Sequence, residues 1–266
     1  MGKDNRREHD GEVIGLIPAG GQGLRIGSLP CSKEIYPIGY DHSRDGFPKA
    51  VCQYLLEKMR AAGVKNVYIV LREGKWDIPA YLRDGKMLDL NLAYLIMDAP
   101  FGVPFTIGQA FPFVQQAIVA FGFPDIFFNP HDTFVRLLDR LSHNDCDVVL
   151  GLFPADRPHK TDMVDVDPSG RVENIVIKPG KTNLELTWCV AVWTPVFTKF
   201  MHRHVKAVEP FAAQQKELFL GEVIQAAVNE GLRVEGVKVS DEPFIDIGTP
   251  DDLHRAAQKL IGNDEK

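Results

Sequence analysis

The sequence lacks the features that are typical of membrane-spanning proteins, secreted proteins and proteins with structural zinc sites. No apolar run approaches the roughly 18 residues that a membrane-spanning helix needs, and residues 1–10 contain no apolar core of a secretory signal. The four cysteines show no CxxC spacing, which argues against a zinc site and a disulfide framework. A reduced, cytoplasmic compartment fits these absences best. We expect a flexible tail over residues 1–10 and a single domain over residues 11–266.

The chain also lacks a concentration of positive charge. It has 30 Lys and Arg against 36 Asp and Glu, so its formal net charge is −6, and the cations are scattered. A nucleic-acid backbone is bound by clustered cations, so we expect no nucleic-acid partner, and the missing apolar runs predict no membrane partner. Small phosphorylated ligands still fit, because a few well-placed cations and backbone N–H groups can hold them in an acidic protein.

What the sequence does contain is an alternation of short apolar runs with longer helical patterns. This layout predicts an α/β fold, with a sheet that has helices packed on its faces. The predicted strands cover residues 13–19, 67–71, 92–97, 117–123, 148–153, 186–193 and 234–239. The predicted helices cover residues 48–62, 132–142, 194–204, 217–230 and 250–260, with Pro48 in the first helical turn. Residues 162–167 and 171–177 predict a hairpin laid over the sheet, and residues 244–248 predict a turn.

A glycine-rich loop directly after the first strand is the most informative stretch. Gly20, Gly21 and Gly23 let the backbone approach a ligand closely and let consecutive N–H groups converge on an anion. Arg25 and Lys33 follow, and glycines with two cations suit a triphosphate. The spacing matches neither the P-loop nor the dinucleotide-binding motif. A tight exit from the strand is the alternative explanation of the glycines.

The same stretch resembles a family signature. Residues 19–25, continued by residues 32–38, resemble the GGxGTR…PK motif of the nucleotide-sugar pyrophosphorylases, typified by glucose-1-phosphate thymidylyltransferase, although Leu24 replaces the usual threonine. The resemblance implies a three-layer α/β/α, Rossmann-like nucleotidyltransferase (GT-A-like) fold with a mixed, mostly parallel central sheet. It further implies that the loop wraps the NTP phosphates, with Ala19, Gly20, Gly21 and Gly23 as nucleotide-binding residues and Arg25 and Lys33 as catalytic ones.

Two aspartates predict a magnesium site. Bringing two polyanions together costs about 4 kcal/mol for each unit-charge pair at about 4 Å and an effective dielectric of about 20, and Mg²⁺ is typically held by one or two carboxylates plus phosphate oxygens. Asp125 ends an apolar strand, and Asp246 precedes a Gly-Thr-Pro turn before the last helix. Both resemble the family's metal ligands. The alternative is that Asp125 caps a turn and Asp246 braces one.

The base and sugar pockets follow the family less closely. Gly102 occupies the place of the glycine-centred loop that touches the nucleoside, and Met97 stands where thymidylyltransferases usually have glutamine. A methionine cannot make the same hydrogen bonds to a pyrimidine edge.

On the acceptor side, Lys178 resembles the lysine that holds the sugar 1-phosphate. Its usual glutamate neighbour is Ile177, and Trp188 stands where the family commonly has glycine. Buried sugar hydroxyls need partners. Either Asp162, Asp165 or Glu185 supplies them, or the acceptor is not ordinary glucose 1-phosphate.

The resemblance implies transfer of a nucleoside monophosphate from an NTP to a sugar 1-phosphate, with release of pyrophosphate. dTTP and glucose 1-phosphate are the favoured substrates, and Mg²⁺ is the expected cofactor. Two alternatives stay open: the same transfer with another NTP or a non-glucose phosphorylated acceptor, and a catalytically silent nucleotide-sugar-binding regulatory domain. Homo-oligomerisation also stays open.

Overall fold

A computed structural model of the chain describes residues 11–21, 26–41, 46–97, 101–214 and 217–261. Its strands are β1 Val13–Ala19, β2 Pro37–Asp41, β3 Phe47–Ala50, β4 Asn66–Arg72, β5 Asn91–Met97, β6 Ile118–Gly122, β7 Ile126–Phe127, β8 Val148–Pro154, β9 Met163–Val166, β10 Val172–Val176, β11 Leu186–Trp193, β12 Val234–Lys238 and β13 Ile245–Asp246. Its α-helices are α1 Val51–Ala61, α2 Asp77–Leu82, α3 Val103–Gly108, α4 Phe111–Val114, α5 Thr133–His143, α6 Pro195–Val208, α7 Leu220–Asn229 and α8 Pro250–Ile261.

Nine strands of the described part form one sheet. Its backbone order is β5-β4-β1-β6-β11, after which β11 pairs with both β8 and β9; β8 continues to β12, and β9 continues to β10. The pairs β1–β4, β1–β6, β4–β5 and β8–β12 are parallel, whereas β11 is antiparallel to β6, β8 and β9, and β10 is antiparallel to β9. Within this sheet, all strands except β10 and β11 therefore point the same way. The predicted mixed, mostly parallel sheet is confirmed.

Both faces of the sheet are covered by helices. β1, β6 and β11 are almost wholly buried, and apart from Thr187 of β11 their residues are apolar or glycine, as expected for strands that are packed on two sides. One face packs on Leu55 of α1 and Leu137 of α5. The other face packs on Phe105 of α3, Phe197 of α6 and Val223 of α7. The predicted three-layer architecture is therefore present.

Two of the sequence-based predictions are wrong in placement. The first helix begins at Val51, not at Pro48, because Pro48 lies in β3 and pairs with Tyr40 of β2. Proline is tolerated in a two-stranded edge ribbon, where its missing N–H leaves no ladder bond unmade. The 162–177 hairpin extends the sheet at its edge instead of lying over it, because Met163 of β9 pairs with Thr187 of β11.

A small ribbon joins two segments that are far apart in the chain. Asp246 of β13 lies opposite Ile126 of β7, and the N–H of Ile247 donates to the Asp125 carbonyl oxygen at 2.9 Å. The predicted turn at 244–248 thus contains a two-residue strand. In the described ranges, no helix is both long and apolar enough to cross a membrane.

Candidate active site

A cleft of about 620 Å³ opens where β1 and β6 end. In sheets of this kind, ligands bind outside the carboxyl ends of the parallel strands. The sequence-predicted residues that line the cleft are Gly20, Gly21, Lys33, Gly102, Asp125, Asp162, Lys178, Trp188 and Asp246. The predictions for Gly23 and Arg25 fall outside the described residues.

The two predicted metal ligands lie side by side. The β7–β13 ribbon sets Asp246 one register position from Asp125, and both line the cleft near Gly20 and Gly21. Lys33, which opens a 3₁₀ turn at Lys33–Ile35, forms an ion pair and hydrogen bond with Asp125 Oδ2. The structure therefore brings together the loop, one cation and both carboxylates.

This ion pair holds both partners in their charged forms. Burial lowers the pKa of Lys33, but the adjacent Asp125 carboxylate more than reverses this, so that the Lys33 pKa is raised; Glu34 and Asp246 act in the same direction. Burial raises the pKa of Asp125, but Lys33 outweighs it, and the Asp125 pKa is lowered. The centre of the cleft thus carries fixed charges of both signs.

The donor set fits a hard cation that is also bound by its substrate. Asp125 and Asp246 offer carboxylate oxygens, and no group of three or more His, Cys, Asp or Glu side chains that could hold a metal occurs among the described residues. A closed protein cage is therefore not formed there. Mg²⁺ commonly accepts one or two carboxylates and completes its shell with phosphate oxygens and water, which is what two aspartates beside a phosphate-binding loop can supply.

A buried acid beneath the cleft was missed by the sequence analysis. Glu34 also lines the cleft, is 2% exposed and forms an ion pair with the equally buried Lys75. Its Oε2 atom has no hydrogen-bond partner, and burial raises the Glu34 pKa despite the opposing effect of Lys75. Only the position of Glu34 beside Lys33 could have drawn attention to it.

Close backbone packing surrounds Gly102, which the sequence predicts to contact the nucleoside. Gly102 has φ 122° and begins α3, and a Cβ atom there would overlap the Leu218 carbonyl oxygen. The glycine is therefore required by packing, whatever it contacts in a ligand. Met97 is 6% exposed and does not line the cleft; its Sδ atom lies 3.5 Å from where a Gly20 Cβ would be. Met97 therefore packs near Gly20 without reaching the cleft.

The opposite side of the cleft combines apolar rings with unpaired polar groups. Lys178 Nζ lies 3.8 Å from the centroid of the Phe219 ring, and Lys178 has φ 42°, a left-handed conformation that is uncommon for a lysine. Trp188 is 5% exposed, and its Nε1 atom has no acceptor. Phe123 and Phe219 also line the cleft, and neither was predicted as a site residue.

Of the three acids that the sequence left open, only Asp162 lines the cleft. Its Oδ1 atom is buried without a donor, and burial raises its pKa to about 6 although Lys178 acts to lower it. Asp165 lies in the hairpin opposite Asn174. Glu185 is exposed, and its carbonyl oxygen accepts from Ala155 N. The Ala19 side chain is buried in the core, so only its backbone could serve a ligand.

Residues 14–263 match the family model described as Nucleotidyl transferase. The chain belongs to that family. It is 23% identical over 252 residues to the low-salt glycan biosynthesis nucleotidyltransferase Agl11 of Haloferax volcanii, which covers 93% of this chain and 66% of that protein. It is 25% identical over 228 residues to the glucose-1-phosphate thymidylyltransferase of Streptomyces griseus, covering 85% of this chain and 60% of that protein. The chain thus spans about two thirds or less of these relatives.

Two solved structures share the fold. A Bacillus anthracis crystal structure described as a glucose-1-phosphate thymidylyltransferase in complex with a sucrose superposes with a TM-score of 0.80 at 17% identity, over 93% of this chain and 95% of that one. A UDP-glucose pyrophosphorylase complexed with UDP-glucose gives a TM-score of 0.76 at 14% identity, over 95% and 99% of the two chains. At these identities the likeness shows the common fold and not the substrates.

Proposed function

We propose that this protein transfers a nucleoside monophosphate from an NTP, with dTTP favoured, to a sugar 1-phosphate, with glucose 1-phosphate favoured, and releases pyrophosphate. One observation carries the proposal. The paired carboxylates Asp125 and Asp246 and the cation Lys33 lie in one cleft between the glycine loop and a second cation, Lys178. Such a cleft offers one anion-binding wall to each of two phosphorylated substrates.

The donor wall suits a triphosphate. Gly20 and Gly21 expose backbone where a phosphate can approach, and a Cβ at Gly21 would meet nothing within 4 Å. Lys33 supplies a fixed ammonium that stabilises charge at the α-phosphorus. Asp125 and Asp246 would hold Mg²⁺, which when bound neutralises phosphate oxygens and the departing pyrophosphate.

The acceptor wall suits a sugar phosphate. Lys178 would bind the acceptor phosphate, because its ammonium is held over the Phe219 ring and has no carboxylate within ion-pair distance among the described residues. The Trp188 and Phe219 rings offer apolar surface to the face of a sugar. The acceptor phosphate oxygen then attacks the α-phosphorus in line as the bond to the β-phosphate oxygen breaks, and no covalent intermediate on the protein is needed.

A second candidate keeps this transfer and changes the acceptor. Ile177 Cδ1 lies 2.8 Å from where a Gly221 Cβ would be, so this side chain is packed against the start of α7. An aliphatic group cannot accept the hydrogen bonds that a glutamate would. The favoured acceptor then differs from glucose 1-phosphate.

Pyrophosphate release from each NTP with a panel of sugar 1-phosphates tests both candidates. Clean use of dTTP with glucose 1-phosphate alone supports the first, and use of another acceptor supports the second. Asp246→Asn should raise the Mg²⁺ concentration needed for half-maximal rate by at least about 10–100-fold. Metal affinity falls by this factor when only a hydrogen-bond partner of a metal ligand is removed, so removal of a ligand should cost at least as much. Asp241→Asn, an exposed aspartate five positions away, is the matched control. Unchanged magnesium dependence in Asp246→Asn would remove this residue from the site, and no magnesium-dependent activity with any pair would favour the silent regulatory domain.

A further inference from the structure

Asp162 is an acid on the acceptor wall that forms no ion pair with the described residues. Its side chain lines the cleft, yet its Oδ1 atom is buried with no hydrogen-bond donor, and no Lys or Arg in the described ranges lies within ion-pair distance. A buried carboxylate is strongly unfavourable unless it is paired. This residue therefore calls for a partner that the protein itself does not provide.

The packing around Asp162 keeps the carboxyl group in place. A Cβ atom at Gly221 would lie 2.5 Å from Asp162 Oδ2 and 2.8 Å from Ile177 Cδ1. Glycine in the first turn of α7 therefore makes the space that the carboxyl group occupies. Any larger residue at position 221 would collide with the carboxyl group in its present position.

The charges around Asp162 favour a cationic partner over a hydroxyl group. Lys178 is the nearby cation and lowers the Asp162 pKa, whereas Glu222 raises it. Lys160 also lines the cleft, but it lies 3.8 Å from Asp252, and Glu217 adds another acid to the lining.

Binding of the acceptor sharpens this imbalance. Once an acceptor phosphate engages Lys178, that cation is no longer available to Asp162, and the phosphate adds negative charge. Like charges brought together in a partly buried site repel each other more strongly than in bulk water. A positive charge on the acceptor would offset this repulsion, and a neutral hydroxyl would not.

We propose that Asp162 selects an amino-substituted acceptor, a sugar 1-phosphate whose protonated amine pairs with the Asp162 carboxylate while its phosphate is bound by Lys178. The inference rests on the proposed nucleotidyl transfer and takes its second candidate, in which the favoured acceptor is not glucose 1-phosphate. The pKa of about 6 supports it, because the carboxyl group is then ionised at pH 7.5 and able to pair with an amine.

Pyrophosphate release should be measured at pH 7.5 with glucose 1-phosphate and with its 2-, 3-, 4- and 6-amino-deoxy analogues. We expect at least one amino acceptor to exceed glucose 1-phosphate in kcat/KM by about 10–100-fold, as expected for a hydrogen bond between charged groups. N-acetylation of that acceptor should abolish the preference, because it removes the charge.

The variant Asp162→Asn keeps the side-chain shape and should bring the amino-to-hydroxyl ratio close to one, whereas Asp165→Asn, from the same hairpin but outside the cleft, should leave the ratio unchanged. A hydroxyl acceptor that equals every amine, or a preference that survives in Asp162→Asn, overturns the proposal. If no acceptor supports transfer, the proposed function fails by itself. Calorimetric binding of the same sugar phosphates then decides: a preference for an amine that requires Asp162 sustains the inference, and equal binding refutes it.

Discussion

The two walls of the cleft differ in how their charges are satisfied. On the donor wall, Lys33 is paired with Asp125, and Glu34 beneath them is paired with Lys75 through Oε1, although its Oε2 atom has no hydrogen-bond partner. On the acceptor wall, Asp162 Oδ1 and Trp188 Nε1 are buried without hydrogen-bond partners, and Asp162 forms no ion pair with the described residues. The donor wall is thus preorganised by the protein, whereas the acceptor wall depends on its ligand for complete pairing.

This difference predicts opposite consequences for substitutions on the two walls. A preorganised charge stabilises a transition state without reorganisation, so its loss reduces turnover and leaves its partner unpaired. A buried charge without a partner destabilises the fold but can bind a ligand. Its removal should therefore stabilise the fold and weaken ligand recognition. Three substitutions test this contrast.

The largest effect is expected at Lys33 of the donor wall. Lys33→Ala should reduce turnover by roughly 10²–10³-fold, the loss typical for one preorganised charge-stabilising donor. Steady-state pyrophosphate release at saturating substrates measures this loss. Lys65→Ala, a lysine paired with Asp89 on the exposed surface, is the control for loss of a lysine charge. Turnover within about twofold of the parent would place Lys33 outside the mechanism.

The donor wall was easier to predict from the sequence than the acceptor wall. Gly20, Gly21 and Lys33 belong to one contiguous signature, and Asp125 directly follows a strand, so local pattern sufficed to place them at the cleft. Their pairing across 92 positions, Lys33 with Asp125, could be inferred only from the chemistry that both serve.

The acceptor wall could not be predicted because it depends on tertiary packing. The choice among Asp162, Asp165 and Glu185 required the pairing of β9 with β11, which no local pattern specifies. The Glu34–Lys75 pair joins residues 41 positions apart with no motif in common. The fold was easier to predict, because buried strands such as β1 and β6 are apolar or glycine over their whole length.

An intermediate effect, of opposite sign for stability and function, is expected at Asp162. Its pKa is raised from 3.8 to about 6, so the folded state loses stability as pH rises from about 4 to 6, and the loss is complete above pH 6. Asp162→Asn should therefore raise the free energy of unfolding at pH 7 by about 2 kcal/mol, after a discount for partial exposure.

The pH dependence of this stability gain tests whether the buried charge causes it. Below about pH 4 the carboxyl group is neutral in both the folded and the unfolded states, so the gain from Asp162→Asn should vanish as pH falls from 6 to 4. Urea denaturation at pH 7, 6, 5 and 4 measures it, with Asp165→Asn as the control. A gain that is constant with pH would show that burial of this charge is not its source.

The smallest effect is expected at Gly221, where the acceptor wall meets α7. Gly221→Ala brings a methyl group within 2.5 Å of Asp162 Oδ2 and 2.8 Å of Ile177 Cδ1, and such overpacking should destabilise the fold by about 1–2 kcal/mol. Gly108→Ala is the control, since a Cβ there would meet nothing within 4 Å. Because the methyl group displaces the carboxyl group, the KM for the acceptor should rise while NTP binding stays unchanged.

A double-mutant cycle separates the two contacts of Gly221. In an Asp162→Ala background the carboxyl group is absent, so Gly221→Ala should destabilise less than it does in the parent chain, and the remaining cost reports the Ile177 contact. An equal cost in both backgrounds would mean that Asp162 simply moves aside in response to the methyl group. The Asp162 side chain could then change its position on the acceptor wall. The two walls would differ in side-chain mobility as well as in charge pairing, because Lys33 and Asp125 of the donor wall hold each other in place.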